Sequence, residues 1–214
     1  MSGRVAPGDP VGIDSLSRDF DVSPTPIREA LARIETTGLI VREPLRGYRV
    51  APVMSADEFC QLTEARLLIE PYNAAAACRR RSGQMGAELN QALARMKQAP
   101  TGPTYQEFRL YLEADAEFHA IISRYAGNHF LTEALTRLGA HQHRFRLFGD
   151  AGVTDAPLAI KEHEAILAAI ESGPPDEARR AMKRHIQNVF QRAICDSPLA
   201  GQVPERSPIT VRKP

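Results

Sequence analysis

At 214 residues the chain is long enough for one or two domains with a buried core. Charged residues make up 25% and hydrophobic ones 43%, and a formal net charge of +1 excludes a polyelectrolyte binder of nucleic acid. Cys60, Cys78 and Cys195 are widely spaced and form no C-x-x-C, which excludes a disulfide framework, while the lack of an apolar span or leader excludes a membrane protein and predicts a cytoplasmic one.

Residues 1–12 hold three Gly and two Pro and predict no helix. Ile13, Leu16 and Phe20 then share one face of a short helix. In the next stretch Ile27, Ala30, Leu31 and Ile34 recur at i, i+3, i+4 and i+7, one apolar stripe on a helix of about three turns. Ser23 and Thr25 are candidate N-caps, Pro24 or Pro26 suits the first turn, and Gly38 reads as the stop. Two short strands, Leu39–Arg42 and Tyr48–Ala51, are expected around a turn at Glu43–Gly47, where Pro44 and Gly47 break the run. Helix, tight turn, helix and β-ribbon over residues 1–52 is the plan of a winged helix-turn-helix, whose expected partner is double-stranded operator DNA.

On that plan Arg28 lies in the first turns of the recognition helix and faces base edges. Ser23 and Thr25 meet phosphates at the helix N-terminus, and Arg46, Gly47 and Arg49 form the wing. Residues 1–53 carry seven Arg and no Lys against four Asp and three Glu, so binding has to come from clustering of Arg28, Arg33, Arg46 and Arg49 on one face.

After the linker Val50–Asp57, with Ser55 or Asp57 as the next cap, the pattern is helical to residue 81. Phe59, Leu62, Ala65, Leu68 and Ile69 form the expected apolar face, and Pro71 predicts a kink or an early break. Further helices are expected at about 86–98, 103–125, 128–148, 157–172 and 174–195, making residues 54–195 an all-helical bundle. The Pro-rich tail 196–214 has no period and is expected to be disordered. The fold class is therefore mainly α, a winged helix followed by a helical bundle.

Within the bundle Asp115 and His119 stand four apart and leave one helix face. His163 and His185 flank the turn Ser172–Pro175 at nearly equal distance, so antiparallel helices bring the two imidazoles side by side. One carboxylate and three imidazoles suit Zn, Ni, Mn or Fe(II). By spacing alone, ordinary packed histidines remain the competing reading. Arg66 reads either as an arginine paired with Glu70 at i+4 or as a cation aimed into a cavity.

The run Val22-Ser-Pro-Thr-Pro-Ile-Arg-Glu-Ala-Leu31, with Gly38-Leu-Ile and Arg46-Gly47, resembles the winged-helix signature of the GntR transcription regulators over roughly residues 3–52. It departs at Pro24, where the family usually has arginine, at Asp21, where the inter-helix turn usually has glycine, and in lacking the family's first helix. The motifs at Glu64–Glu70, Asp115–His119 and Gly127–Leu131 resemble the FadR-type branch, whose C-terminal half is the FCD domain, in its six-helix VanR-like form. The resemblance implies a divalent metal, zinc first, on Asp115, His119, His163 and His185. It further implies a small carboxylic-acid effector held by Arg66, with Asn128 and Arg144 as weaker contributors. The expectation is a homodimeric, ligand-responsive repressor, not an enzyme. The alternatives are a metal-dependent hydrolase and a metal sensor with a degenerate DNA module.

Overall fold

A computed structural model describes residues 6–36, 38–102, 104–147 and 153–195. The chain divides into two compact units, one built on the residues up to Met54 with the segment Ala140–Phe148, the other beginning at Ser55.

In the first unit α1 (Ile13–Asp19) and α2 (Pro24–Glu35) are followed by β2 (Ile40–Glu43) and β3 (Gly47–Val50). Ser23 takes the N-cap position in extended conformation, with Pro24 at the first helical position, where its missing N–H costs nothing. Asp21, in the turn between the helices, sits at φ +52°, which explains why a turn of this shape favours glycine. The strands pair antiparallel, Glu43 opposite Gly47 and Arg42 opposite Tyr48, around a turn whose Leu45 and Gly47 both have positive φ. A third strand, β1 (Pro10–Val11), was not expected; it pairs with β3 and gives the order β1-β3-β2. Two residues are too short for a period to register, and Pro10 is tolerated because it opens an edge strand.

The helical stripe is only half right. Ile27 and Leu31 are buried with Ile40 and Tyr48, and Val11, Ile13 and Leu16 pack on them. Ala30 is exposed, Ile34 is 40% exposed and Phe20 68%. The cover supplied by α1 and the small sheet is wide enough for the i, i+4 pair of α2 and no more.

The second unit contains α3 (Ala56–Arg79), α4 (Gly83–Gln98), α5 (Tyr105–Ala126), α7 (Ala156–Ser172) and α8 (Pro175–Cys195), and α6 (His129–Leu147) begins in it. Ser55 caps α3 through a reciprocal box with Glu58, the Ser55 N–H donating to the carboxylate at 2.8 Å. Ser82 caps α4 by accepting from the Met85 N–H, which starts that helix three residues before the periodic pattern does. Pro71 does not end α3. The helix runs on through the buried stretch Asn73–Cys78, and packing along α8 and α5 offsets the hydrogen bond that proline removes. Leu68, assigned to the apolar face, is 74% exposed, while Arg66 and Glu70 point inward beside Leu62, Thr63 and Asn73. The core behind them includes Phe108 and Phe118 from α5, Ile166 and Ile170 from α7, and Met182 and Ile186 from α8. Among the described residues no helix is long and apolar enough to cross a membrane. The side chain of Arg144 and all of residues 196–214, on which two expectations rested, lie outside the described residues.

The α5–α6 turn depends on Gly127, at φ +74°. Arg80 Nη1 donates to the Ala126 carbonyl at 2.6 Å and occupies the space a Cβ at Gly127 would need. Gly127→Ala is expected to lower stability by about 1–2 kcal/mol from left-handed strain alone, and further by displacing Arg80. Urea denaturation of the two forms measures this, and an unchanged midpoint contradicts it.

Candidate functional site

Three helices build a polar centre in the second unit. Asp115 and His119 come from α5, one turn apart; His163 comes from α7 and His185 from α8, on either side of the turn the two helices share. One ligand-type atom from each of the four lies within 4.8 Å of the others. The His163 and His185 ring centroids are 4.3 Å apart, as the near-equal spacing around the turn requires. His163 is 0% exposed, His185 2% and His119 6%. Phe118 meets the His163 ring edge-on at 4.8 Å and closes that side.

The outward nitrogens decide which way the rings can donate. His163 Nδ1 lies 2.7 Å from the Ala159 carbonyl, which can only accept, so the proton is on Nδ1. His185 Nδ1 lies 2.9 Å from Glu162 Oε2. Glu162 is held down to about 2 against the opposing effect of burial, by His185, Arg192 and Asn188, so it too accepts. His119 Nδ1 is 2.5 Å from Glu70 Oε2, a contact of opposite polarity that misses hydrogen-bond alignment. Glu70 is kept well below the usual carboxylate range: burial would raise it, but the Arg66 guanidinium and His119 outweigh that cost.

In His163 and His185 the inner nitrogen, Nε2, is thereby left with a lone pair directed inward. His163 Nε2 stands 3.3 Å from His119 Nε2 and 3.3 Å from Asp115 Oδ1. Asp115 is held well below the usual carboxylate range: burial would raise it, but the imidazoles around it, His163 foremost, outweigh that cost. Burial first, and then the neighbouring His163, push His185 down to about 3, so at neutral pH it is uncharged. These lone pairs and the anionic Asp115 oxygen, facing one another, repel unless a cation lies between them. The arrangement can hold a divalent metal through nitrogen and oxygen donors, with outer partners already orienting His163 and His185.

Arg66 is buried and its Nε donates to Glu70 Oε1 at 2.5 Å, so the i+4 ion pair expected from the spacing is formed. Asn128 opens α6: its side-chain oxygen accepts from the Leu131 N–H at 3.3 Å and caps the helix. Glu70, Glu162 and Arg192 were not singled out as parts of the centre. Glu70 was visible as the i+4 partner of Arg66, but Glu162 and Arg192 carry no sequence signal, because their meeting depends on how α7 lies against α8.

In the first unit Ser23, Thr25 and Arg28 are exposed at the start of α2. Arg46 is exposed at the wing turn, 3.8 Å from Glu43, and Gly47 has the positive φ that the turn needs. Arg49 differs from the rest of the set. Its Nε donates to Glu43 at 3.0 Å and its Nη1 to the Gly8 carbonyl at 2.8 Å, so it binds the sheet together.

Two outcomes follow. In metal-free protein the folded-state value of His185 lies below its unfolded one, so the unfolded state binds more protons between about pH 6.5 and about pH 3. Stability is present above that window and falls as pH drops through it, with the depressed carboxylates adding to the loss below their unfolded values. Melting temperatures in chelator from pH 7 to pH 4 are expected to fall steadily, and a flat profile contradicts a buried neutral His185. Arg66→Ala strands an ionised Glu70 and is expected to cost about 3–5 kcal/mol, read by denaturation.

Comparison with known proteins places these features. Residues 61–188 match the FCD domain, and residues 1–50 match the bacterial regulatory proteins of the gntR family. The HTH-type transcriptional repressor RspR of Escherichia coli (strain K12) is 25% identical, over 87% of this chain and 80% of its own. The HTH-type transcriptional regulator LutR of Bacillus subtilis (strain 168) is 25% identical, over 88% of this chain and 93% of its own. Among solved structures, E. coli McbR/YncC superposes with a TM-score of 0.72 at 19% identity, covering 88% of each chain. A GntR regulator from Rhodococcus sp. RHA1 gives a TM-score of 0.69 at 17% identity, also over 88% of each. At those identities the structural likeness shows the fold alone.

Proposed function

Since the chain belongs to the gntR family of bacterial regulatory proteins and carries an FCD domain, we propose that it is a metal-dependent, ligand-responsive transcriptional repressor. Residues 1–52 are its DNA-binding module and residues 54–195 the effector-binding and dimerisation module. It acts as a cytoplasmic homodimer on a two-fold operator, because closed two-fold symmetry matches paired half-sites. Repression is favoured by the naming of RspR as a repressor.

The observation that supports the metal is the convergence of Asp115 and three buried imidazoles within 4.8 Å, with the outer nitrogens of His163 and His185 occupied by the Ala159 carbonyl and Glu162. That donor set fits zinc, with Ni, Mn and Fe(II) as the other first-row candidates. When bound, the ion supplies positive charge and a coordination position for an effector oxygen. A small carboxylic or hydroxy acid is the matching class, and Arg66 adds positive field from α3 while remaining tied to Glu70. Among the described residues the two carboxylates that flank the four, Glu70 and Glu162, are both paired with arginines, which disfavours the hydrolase alternative. The effector must bind the two arrangements of the dimer unequally to alter DNA affinity.

On the DNA side Arg28 reads bases and Ser23, Thr25, Arg46 and Gly47 contact the backbone. Arg49 serves the wing indirectly by holding Glu43 and the β1 edge.

Metal analysis of tag-free protein is expected to find one ion per chain in wild type and none in His163→Ala. An absence of metal after incubation in metal-replete buffer sinks the metal reading and leaves the DNA reading standing. Arg28→Ala is expected to weaken operator binding by about 1–3 kcal/mol and to relax base preference. Titration at several salt concentrations checks this, and equal affinity for operator and random DNA in the wild type favours the degenerate-module alternative.

A further inference from the structure

Glu162 does more than join two helices. Its Oε2 accepts from His185 Nδ1 at 2.9 Å and from Arg192 Nη2 at 3.0 Å, and its Oε1 accepts from Asn188 Nδ2 at 2.9 Å and Arg192 Nη1 at 2.8 Å. Arg192 is itself anchored, because its Nε donates to Asp155 Oδ2 at 2.9 Å at the start of α7. The carboxylate therefore has four donors and no rotational freedom. One of those donors is the outward N–H of a buried imidazole in the candidate metal centre.

We propose that Glu162, clamped by Arg192, is the positioning residue that sets the metal affinity of this centre through His185. The inference rests on the metal reading above. Three features support it over a plain inter-helix ion pair. An exposed pair would contribute little and would orient nothing, whereas the Glu162 and Arg192 side chains keep only 19% and 18% of their surface. His185 is 2% exposed, so its Nδ1–H has to find an acceptor, and an anionic acceptor both fixes the tautomer and raises electron density on Nε2. Finally, the centre contains a second arginine–glutamate–histidine series, Arg66–Glu70–His119, but there the carboxylate misses hydrogen-bond alignment with the ring. Of the two, the Glu162 series is the one with the geometry to lock a ligand.

Adjacent residues of α7 thus divide the work. His163 faces the centre, while Glu162 turns toward α8 and orients the ligand that α8 contributes.

The test is zinc affinity of the full chain by competition with a chromophoric chelator, with Co(II) loading as a spectroscopic probe. Wild type, His163→Ala, Glu162→Gln and Arg192→Met are compared. Glu162→Gln keeps the shape but removes the charge, and is expected to bind one zinc per chain with affinity lowered about 10–100-fold. Its Co(II) absorption bands are expected to shift at saturation, which a merely structural zipper would not cause. Should Glu162→Gln fail to fold, Arg192→Met releases the clamp from its outer end and is expected to weaken zinc by about tenfold. Wild-type affinity with an unchanged Co(II) spectrum in whichever variant folds overturns the proposal. Zinc binding by neither wild type nor variants overturns the metal reading instead, and zinc retained by His163→Ala removes the centre from its place.

Discussion

The second unit depends on a buried negative charge being kept ionised. Glu70 is 1% exposed, and a carboxylate so placed would ordinarily take up a proton. Arg66, one turn earlier on α3, prevents this. The ion pair draws two polar side chains inward from a helix whose pattern would otherwise send leucines there, and Leu68 is the residue displaced to the surface. A buried pair of this kind adds little net stability over an apolar replacement, so its value lies in what it specifies. It puts an anion beside His119 and so biases which ring nitrogen faces the centre.

Similar logic recurs on the other side of the bundle. Glu162 and Arg192 orient His185 through a hydrogen bond, the Ala159 carbonyl does the same for His163, and Glu70 and Arg66 set a negative charge beside His119 without that alignment. Three imidazoles in one core thus have three different outer partners. Helix geometry underlies all of it. The spacing from Arg66 to Glu70, from Asp115 to His119 and from Ala159 to His163 is in each case one turn, so partner and ligand share a face. Below the centre the α3–α5 seam stays polar, with Asn73 Nδ2 donating to Ser123 Oγ at 3.0 Å and Ser123 in turn to Thr132 at the start of α6.

The first unit is held by different means. Its apolar cluster is small, and Arg49 compensates by bonding to both Glu43 and the Gly8 carbonyl across the sheet. Arg49, expected in the wing as a DNA contact, also ties the sheet together. Arg28 and Arg46 keep the exposure that such a contact needs.

The sequence by itself determined the order of elements, since the stripe in α2, the breakers at Pro44 and Gly47 and the helical periods after residue 55 are local signals. It also pointed to the four residues that meet in the bundle, because Asp115 and His119 are related by one turn and His163 and His185 by symmetry about a short turn. Tertiary structure alone decided the rest. Whether α3 survived Pro71, whether Leu68 or Arg66 faced inward, and whether β1 formed depended on neighbours far away in the chain. So did the roles of Glu162, Arg192 and Arg49. A charged side chain carries no periodic signature of its partner, and only the packing of one element against another shows which charge it meets.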